Sequence, residues 1–407
     1  MPDETLKRRI FAVDFLRGIV MMIMMIDHTR EYVHTGALLS DPTNLASNPT
    51  VATFFTRWIT HFCAPIFVFL AGTSIYLQKL NGKSRAELSR FLWTRGLWLI
   101  VLEFTVIRFL IVFNLDYSFF GMGQVIWVIG VSMIVMAALI YLPLWLVGAS
   151  GILMIVLHNL LDGIRIPLQT AFAGNPPPDL WQSLWLILHQ PGIVQIFGGS
   201  SQIFFAYPLI PWIGVMAVGY VLGAVYSQDS ATRRKWLLIL GLGSTVLFIV
   251  LRGINLYGDP APWAEQSSPL FTFLSFLNTT KYPPSLLFLL MTLGPAILVL
   301  YLTDGIDGKG LWERIIITYG RVPMFYYILQ WVVAHGSGVL LGVLAGVDVS
   351  YLFKDILSMG RDAPPGHGFP LWVVYAVWIT GLIILYPLCA WYSELKRRKK
   401  HWILSYL

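Results

Sequence analysis

Long apolar runs separated by short polar segments dominate the chain. Runs long enough to cross about 30 Å of hydrocarbon fall near 10–29, 52–79, 91–114, 121–141, 144–161, 203–226, 235–252, 283–303, 322–346 and 369–392. This pattern predicts an all-α fold, a polytopic transmembrane helical bundle of about ten spans. Basic residues mark one face of it. Lys7, Arg8 and Arg9 precede the first run; Lys83, Arg85 and Arg90 separate the second from the third; Arg233, Arg234 and Lys235 separate the sixth from the seventh. Lys309, Arg314 and Arg321 lie between the eighth and ninth, and Lys396 to Lys400 follow the tenth. With ten spans all of these share one side, which predicts both termini in the cytoplasm (N-in/C-in). The opposite face receives the longer, base-poor connections 30–51, 162–202, 253–282 and 347–368, whose Pro, Gly, Trp and Asn content suits ordered loops or short helices. Within the second of these, DLWQSLWLILHQPG has the apolar spacing of a helix lying in the interface plane. No repeat or soluble segment interrupts the pattern, so residues 1–407 are expected to form a single transmembrane domain.

Composition strengthens the membrane assignment. Of 407 residues 57% are hydrophobic and 12% charged, more apolar surface than a water-soluble fold can hide. The net charge of +7 is concentrated in the short segments named above, so it reports on topology and excludes a nucleic-acid partner. The two cysteines, Cys63 and Cys389, sit inside apolar runs as small hydrophobes, which gives neither a disulfide framework nor a zinc site; no metal is expected. The segment MPDETLKRRIFAVDFLRG has the basic flank of a secretory signal. Asp14 and Arg17 interrupt its apolar core, however, and a retained first helix is the expectation.

Ionisable groups inside a bilayer are costly and therefore mark candidate chemistry. In AVDFLRGIVMMIMMIDH, Asp14 and Arg17 are spaced to pair on one helical face. Arg17 and His28, eleven residues apart, share a face about 16 Å apart along the axis. A helix so built can line a passage with a cation at one end and a proton acceptor at the other; the plainer alternative is a structural Asp14–Arg17 pair, with Asp27, His28 and Arg30 in the headgroup zone. His61, in the second run, needs a partner from a neighbouring helix, and can serve either in proton transfer or as a core histidine. Arg95, Glu103 and Arg108 occupy the third run, Gln330 and His335 the ninth. FLNTTKYPPS adds Asn278 and Lys281; Lys281 stands out on a face otherwise poor in base, where it could meet an anionic or sugar substrate.

Several phrases together carry a resemblance: FLRGIVMMIMMIDH, THFCAPIFVFLAGTSIYL, YPLIPWIGVMAVGYVLG, NTTKYPPSLLFLLMTLGP and YGRVPMFYYI. The chain resembles the bacterial membrane family related to the catalytic domain of heparan-alpha-glucosaminide N-acetyltransferase, within a wider superfamily of transmembrane acyltransferases. The resemblance implies transfer of an acyl group, usually acetyl, from cytoplasmic acyl-coenzyme A to an acceptor across the membrane. One branch of the superfamily has an Arg, ten residues and then a His in its first helix, a pattern met here by Arg17 and His28. The lysosomal enzyme has Asn at the position of His28, and its catalytic His falls on Val51 here, so either His28 or His61 is the expected base.

The resemblance thus implies a membrane-embedded acetyltransferase that modifies an extracytoplasmic sugar or glycan, with acetyl-CoA as donor and no metal. On this reading His28, His61 and Asp27 are catalytic candidates, Asp27 orienting an imidazole; Arg17, Arg95 and Arg108 bind the coenzyme; Lys281 and Asn278 meet the acceptor. The alternative is a proton-coupled transporter or flippase of a small polar or lipid-linked solute, against which the absence of a visible inverted repeat counts. A silent scaffold is the third reading. The partners expected are the lipid bilayer, acyl-CoA and the acceptor, with small-residue patches such as GYVLG compatible with a homodimer, and the location expected is a membrane, the cytoplasmic (inner) one if the source is bacterial.

Overall fold

The computed structural model describes residues 10–37, 39–167, 177–399 and 404. It is mostly helical (71%). In chain order the first helices are α1 (Phe11–Val33), α2 (Val51–Thr60), α3 (Cys63–Leu80), α4 (Arg85–Leu102), α5 (Arg108–Val112) and α6 (Val125–Leu139). Next come α7 (Leu144–Leu157), α8 (Leu180–Leu188), α9 (Leu209–Gly223), α10 (Ser230–Ile254), α11 (Pro269–Leu277) and α12 (Leu286–Leu302). The series ends with α13 (Leu311–Arg321), α14 (Pro323–Leu344), α15 (Ile356–Arg361) and α16 (Leu371–Arg398). Among the described residues there are also three strands, β1 (Phe119–Gly123), β2 (Gly192–Ile196) and β3 (Ser201–Phe205).

Each of the ten apolar runs contains a helix. Six helical stretches among the described residues are long and apolar enough to cross a membrane: Val51–Leu80, Leu144–Leu161, Leu209–Ser227, Ser230–Ile254, Pro323–Leu344 and Leu371–Arg398. In α7 and α10 only 22% of the apolar window is buried by protein, which leaves rows of Leu, Ile and Val for lipid. Lys7, Arg8, Arg9 and Lys400, used above for orientation, lie outside the described residues.

The structure departs from the sequence reading in four of the runs. The second run is interrupted between α2 and α3, at His61 and Phe62. Pro65 accounts for this: it lacks the N–H that would bond the His61 carbonyl one turn earlier, and its ring crowds that carbonyl. The third run contains a π-helical turn, Glu103–Ile107, between α4 and α5. The start of the fourth run and the entry to the sixth are strands rather than helix. β1 pairs in parallel with β3, which pairs antiparallel with β2. Phe104, Leu186, Val194, Ile203 and Phe205 form the buried cluster beneath this small sheet.

Contacts gather into two compact units. One is built on Ala64–Phe104 and Tyr117–Asp304, the other on Phe11–Cys63, Thr105–Asp116 and Gly305–Leu407. In the first, α4 packs on α6, α7 on α9, and α10 on α12. In the second, α1 is central and packs on α2, α13, α14 and α16. Glycine sets the closeness of α1 to α13: a Cβ at Gly18 would lie 1.9 Å from the Ile316 carbonyl oxygen, and one at Gly320 would lie 1.9 Å from that of Asp14. Two hydrogen side chains thus allow backbone-to-backbone contact in a setting where van der Waals packing, not water exclusion, holds helices together.

Candidate functional site

Polar side chains of α1 converge on α13 and α14 within the second unit. Arg17 donates from one guanidinium nitrogen to Asp14 Oδ1 at 3.0 Å and to the Gly320 carbonyl at 3.1 Å. Three turns later His28 Nδ1 lies 2.8 Å from Gln330 Oε1 on α14. Arg17 thus meets α13, and His28 meets α14, the helix that follows it in the chain. The imidazole also stacks on Trp331, with ring centroids 3.8 Å apart and planes 17° from parallel.

The tautomer of His28 follows from its neighbour. Gln330 is fully buried and its Nε2 donates to the Tyr327 carbonyl at 3.2 Å, so Oε1 faces His28 as an acceptor. His28 must then donate from Nδ1, which leaves the lone pair on Nε2. The half-buried imidazole is thus oriented by Gln330 and by its stack on Trp331.

Asp27 faces other partners. Its two oxygens accept from Arg30, at 3.2 Å, and from Arg57, which also donates to Asp41 at 3.1 Å. Arg30 and Arg57 are 3% and 6% exposed, so the Asp27 end of this ion network is shielded from solvent, while the Asp41 side chain is 43% exposed. At its rim, outside the helices, burial alone would raise the Asp41 carboxyl. The Arg57 guanidinium and bonds from the Thr43 amide and hydroxyl outweigh that and hold it below the usual carboxylate range. The orienting group on His28 Nδ1 is thus an amide from α14 rather than the carboxylate next to it in sequence.

The remaining sequence candidates are placed as follows. His61 is buried at the C-terminal cap of α2, at the break before α3. Arg95 is half-buried on α4 of the first unit. Arg108 is buried on α5 and directs two nitrogens to the carbonyls of Asn114 and Asp116. Glu103 accepts from the Trp127 amide at 2.7 Å, in the first turn of α6, where a carboxylate meets unpaired N–H groups. Lys281 is 8% exposed, its ammonium 5.1 Å from the Tyr282 ring centroid; Asn278 caps α11 and its carbonyl accepts from Arg252.

Next to that loop, within the first unit, a cleft of about 500 Å³ is lined by Asp162, Arg165, His189, Gln190, Thr280 and Tyr282 among others. Its wall is fixed by Asp259, which accepts from the Thr280 amide and hydroxyl and from Ser285. Here the acidic and imidazole groups escaped the sequence reading. Asp162 and His189 stand 27 residues apart in a connection without a recognisable motif, and only the fold joins them.

The helices, their lipid-facing apolar rows and the polar residues retained among them define an integral membrane protein. The family model described as heparan-alpha-glucosaminide N-acetyltransferase, catalytic, matches residues 9–257, more than half of the chain. The chain belongs to this family of membrane acyltransferases. No curated protein matches it. The matched region includes Arg17, Asp27, His28, His61, Arg95, Arg108 and the Asp162–His189 cleft wall. Asn278, Lys281 and Gln330 lie beyond it.

Proposed function

We propose that the protein transfers an acetyl group from acetyl-CoA to a hydroxyl or amine of a sugar or glycan on the extracytoplasmic side, with His28 as the general base. The observation that carries this reading is the Gln330-held imidazole on α1 of a chain belonging to an acyltransferase family. His28 Nε2 takes the proton of the acceptor as its oxygen or nitrogen attacks the thioester carbonyl. A new C–O or C–N bond forms, the C–S bond breaks, and coenzyme A leaves as a thiolate that then takes up a proton. Arg17, on the same helix as His28 within the second unit, is the residue we assign to coenzyme phosphates, because guanidinium pairs with phosphate in two-pronged fashion. Arg108, engaged with two carbonyls, we assign to structure.

The topology belongs to the same proposal: ten spans, both termini cytoplasmic, and the whole chain acting as one transmembrane acyltransferase-like domain in the inner membrane. Helices in all ten apolar runs and the one-sided distribution of Lys and Arg support it.

The test uses protein purified in detergent with acetyl-labelled acetyl-CoA. Hydrolysis or transfer of the label, lost in His28→Ala, supports the reading. Activity retained in both His28→Ala and His61→Ala removes the base assignment. Proton-coupled solute uptake into liposomes without acetyl consumption removes the enzyme itself in favour of a transporter.

A further inference from the structure

His158, Asp162 and His189 bring their ligand atoms within 4.8 Å of one another at the end of α7. His158 and Asp162 are joined by the single 3-10 turn His158–Leu161, and His189 is the residue that caps α8. Both histidines are 2% exposed. Neither ring nitrogen of His158 has a well-formed hydrogen bond, nor has Nδ1 of His189, although the Pro284 carbonyl approaches the His158 ring. Burying an imidazole without partners for its N–H and lone pair is unfavourable, and an unsatisfied polar group of this kind calls for an explanation. His189 Nε2 meets Asp162 Oδ1 at 3.5 Å, longer than a good hydrogen bond, so that contact leaves the histidines largely uncompensated.

We propose that these three residues bind a divalent transition-metal ion of the zinc class. Two imidazoles and one carboxylate are the donor set that borderline metals favour over Mg²⁺ or Ca²⁺. Tetrahedral bonds of about 2.0–2.2 Å put donor atoms about 3.4 Å apart, so side-chain movement of about an ångström closes the site. The surroundings have the outer hydrogen bonds that ligands need: Asn159 Nδ2 donates to Asp162 Oδ2 at 2.8 Å, and Asn159 is itself fixed by accepting from the Leu286 amide at 2.9 Å. Asp162 and His189 line the 500 Å³ cleft, which supplies an entry path and leaves a fourth position for water or a ligand oxygen. The metal would tie the ends of α7 and α8 together beside the Thr280–Pro283 wall.

The full-length protein, purified in detergent through an affinity tag free of histidine, is assayed for bound metal by mass spectrometry and titrated with Zn²⁺ and Co²⁺. Expected are near-stoichiometric metal, a visible cobalt absorption band and a rise in Tm on adding Zn²⁺. Asp162→Asn and His189→Gln lose all three while keeping the wild-type elution profile. Asn159→Ala, which removes only the outer bond, weakens affinity by about 10- to 100-fold. Absence of metal and of a cobalt band in the wild type overturns the proposal and leaves a structural ion pair only. So does binding unchanged in both ligand variants.

Discussion

Replacing Gln330 by Leu tests the general-base reading most directly. Leu nearly fills the same volume in a fully buried position but removes the acceptor that faces His28 Nδ1 at 2.8 Å. Leaving that N–H unpaired costs about 1–3 kcal/mol. The imidazole recovers it by moving its proton to Nε2, the nitrogen required to be free. At about 1.4 kcal/mol per factor of ten, the competent tautomer falls by about 5-fold to 150-fold. The assay is steady-state acetyl transfer with saturating acetyl-CoA. We expect kcat to fall within that range with KM for acetyl-CoA within about twofold of wild type, since the perturbed group handles the acceptor proton and not the donor. Gln330→Glu restores an acceptor and should recover activity relative to Leu. His28→Ala removes the base itself, so its loss should be larger, about 10²- to 10⁴-fold. If Gln330→Leu retains kcat within about twofold while His28→Ala is inactive, the tautomer argument fails even though the base assignment stands.

Other expectations follow from the packing and the ion network. Gly320→Ala or Gly18→Ala drives a methyl into a backbone carbonyl at 1.9 Å and should destabilise by at least about 1–3 kcal/mol, seen as a lower Tm in detergent; Gly336→Ala, on α14 with nothing within 4 Å of its added Cβ, should be neutral or slightly stabilising. Asp27→Asn leaves Arg30 and Arg57 with one acid between them and should cost about 3–5 kcal/mol, measured by thermal or denaturant unfolding. The carboxyl of Asp41 is held below its unfolded-state pKa, so its contribution is fully present above that value, near 3.9, and is lost as pH falls below it. Tm should therefore drop more steeply between about pH 5 and pH 3 in wild type than in Asp41→Asn, and parallel slopes would refute the ion-pair account.

Helix content was legible because long apolar runs have few alternatives, and the α1 pattern was legible because eleven residues is close to three turns. The small sheet was not. FFGMG and SQIFF are apolar enough to be buried, but a short apolar run carries no period that separates strand from helix. Nor was the break at His61 legible: Pro65 signals a disturbed turn, and only the fold decides between a kink and a full interruption. Site residues divide the same way. Arg17 and His28 could be placed because one helix holds both. Gln330 lies 302 residues from His28, and His189 lies 31 from His158, so no local rule connects them.

The structure distinguishes the histidines of the second unit by their surroundings. His335 is fully buried, pressed between Phe113 at 3.8 Å and Tyr32 at 4.5 Å in nearly parallel stacks, with Nδ1 3.1 Å from the Leu110 carbonyl. Both faces are covered, and a ring so enclosed suits packing better than proton exchange. His28 has an aromatic ring stacked on it at Trp331 and a bond at Nδ1, and it is only half-buried. Gln330 Oε1 accepts from Nδ1–H whether the ring is neutral or protonated, so the orientation would survive the proposed proton transfer. A carboxylate in that place would hold the charged ring more tightly and oppose release of the proton afterwards. Asp27, one residue away, is prevented from acting so because Arg30 and Arg57 already neutralise it.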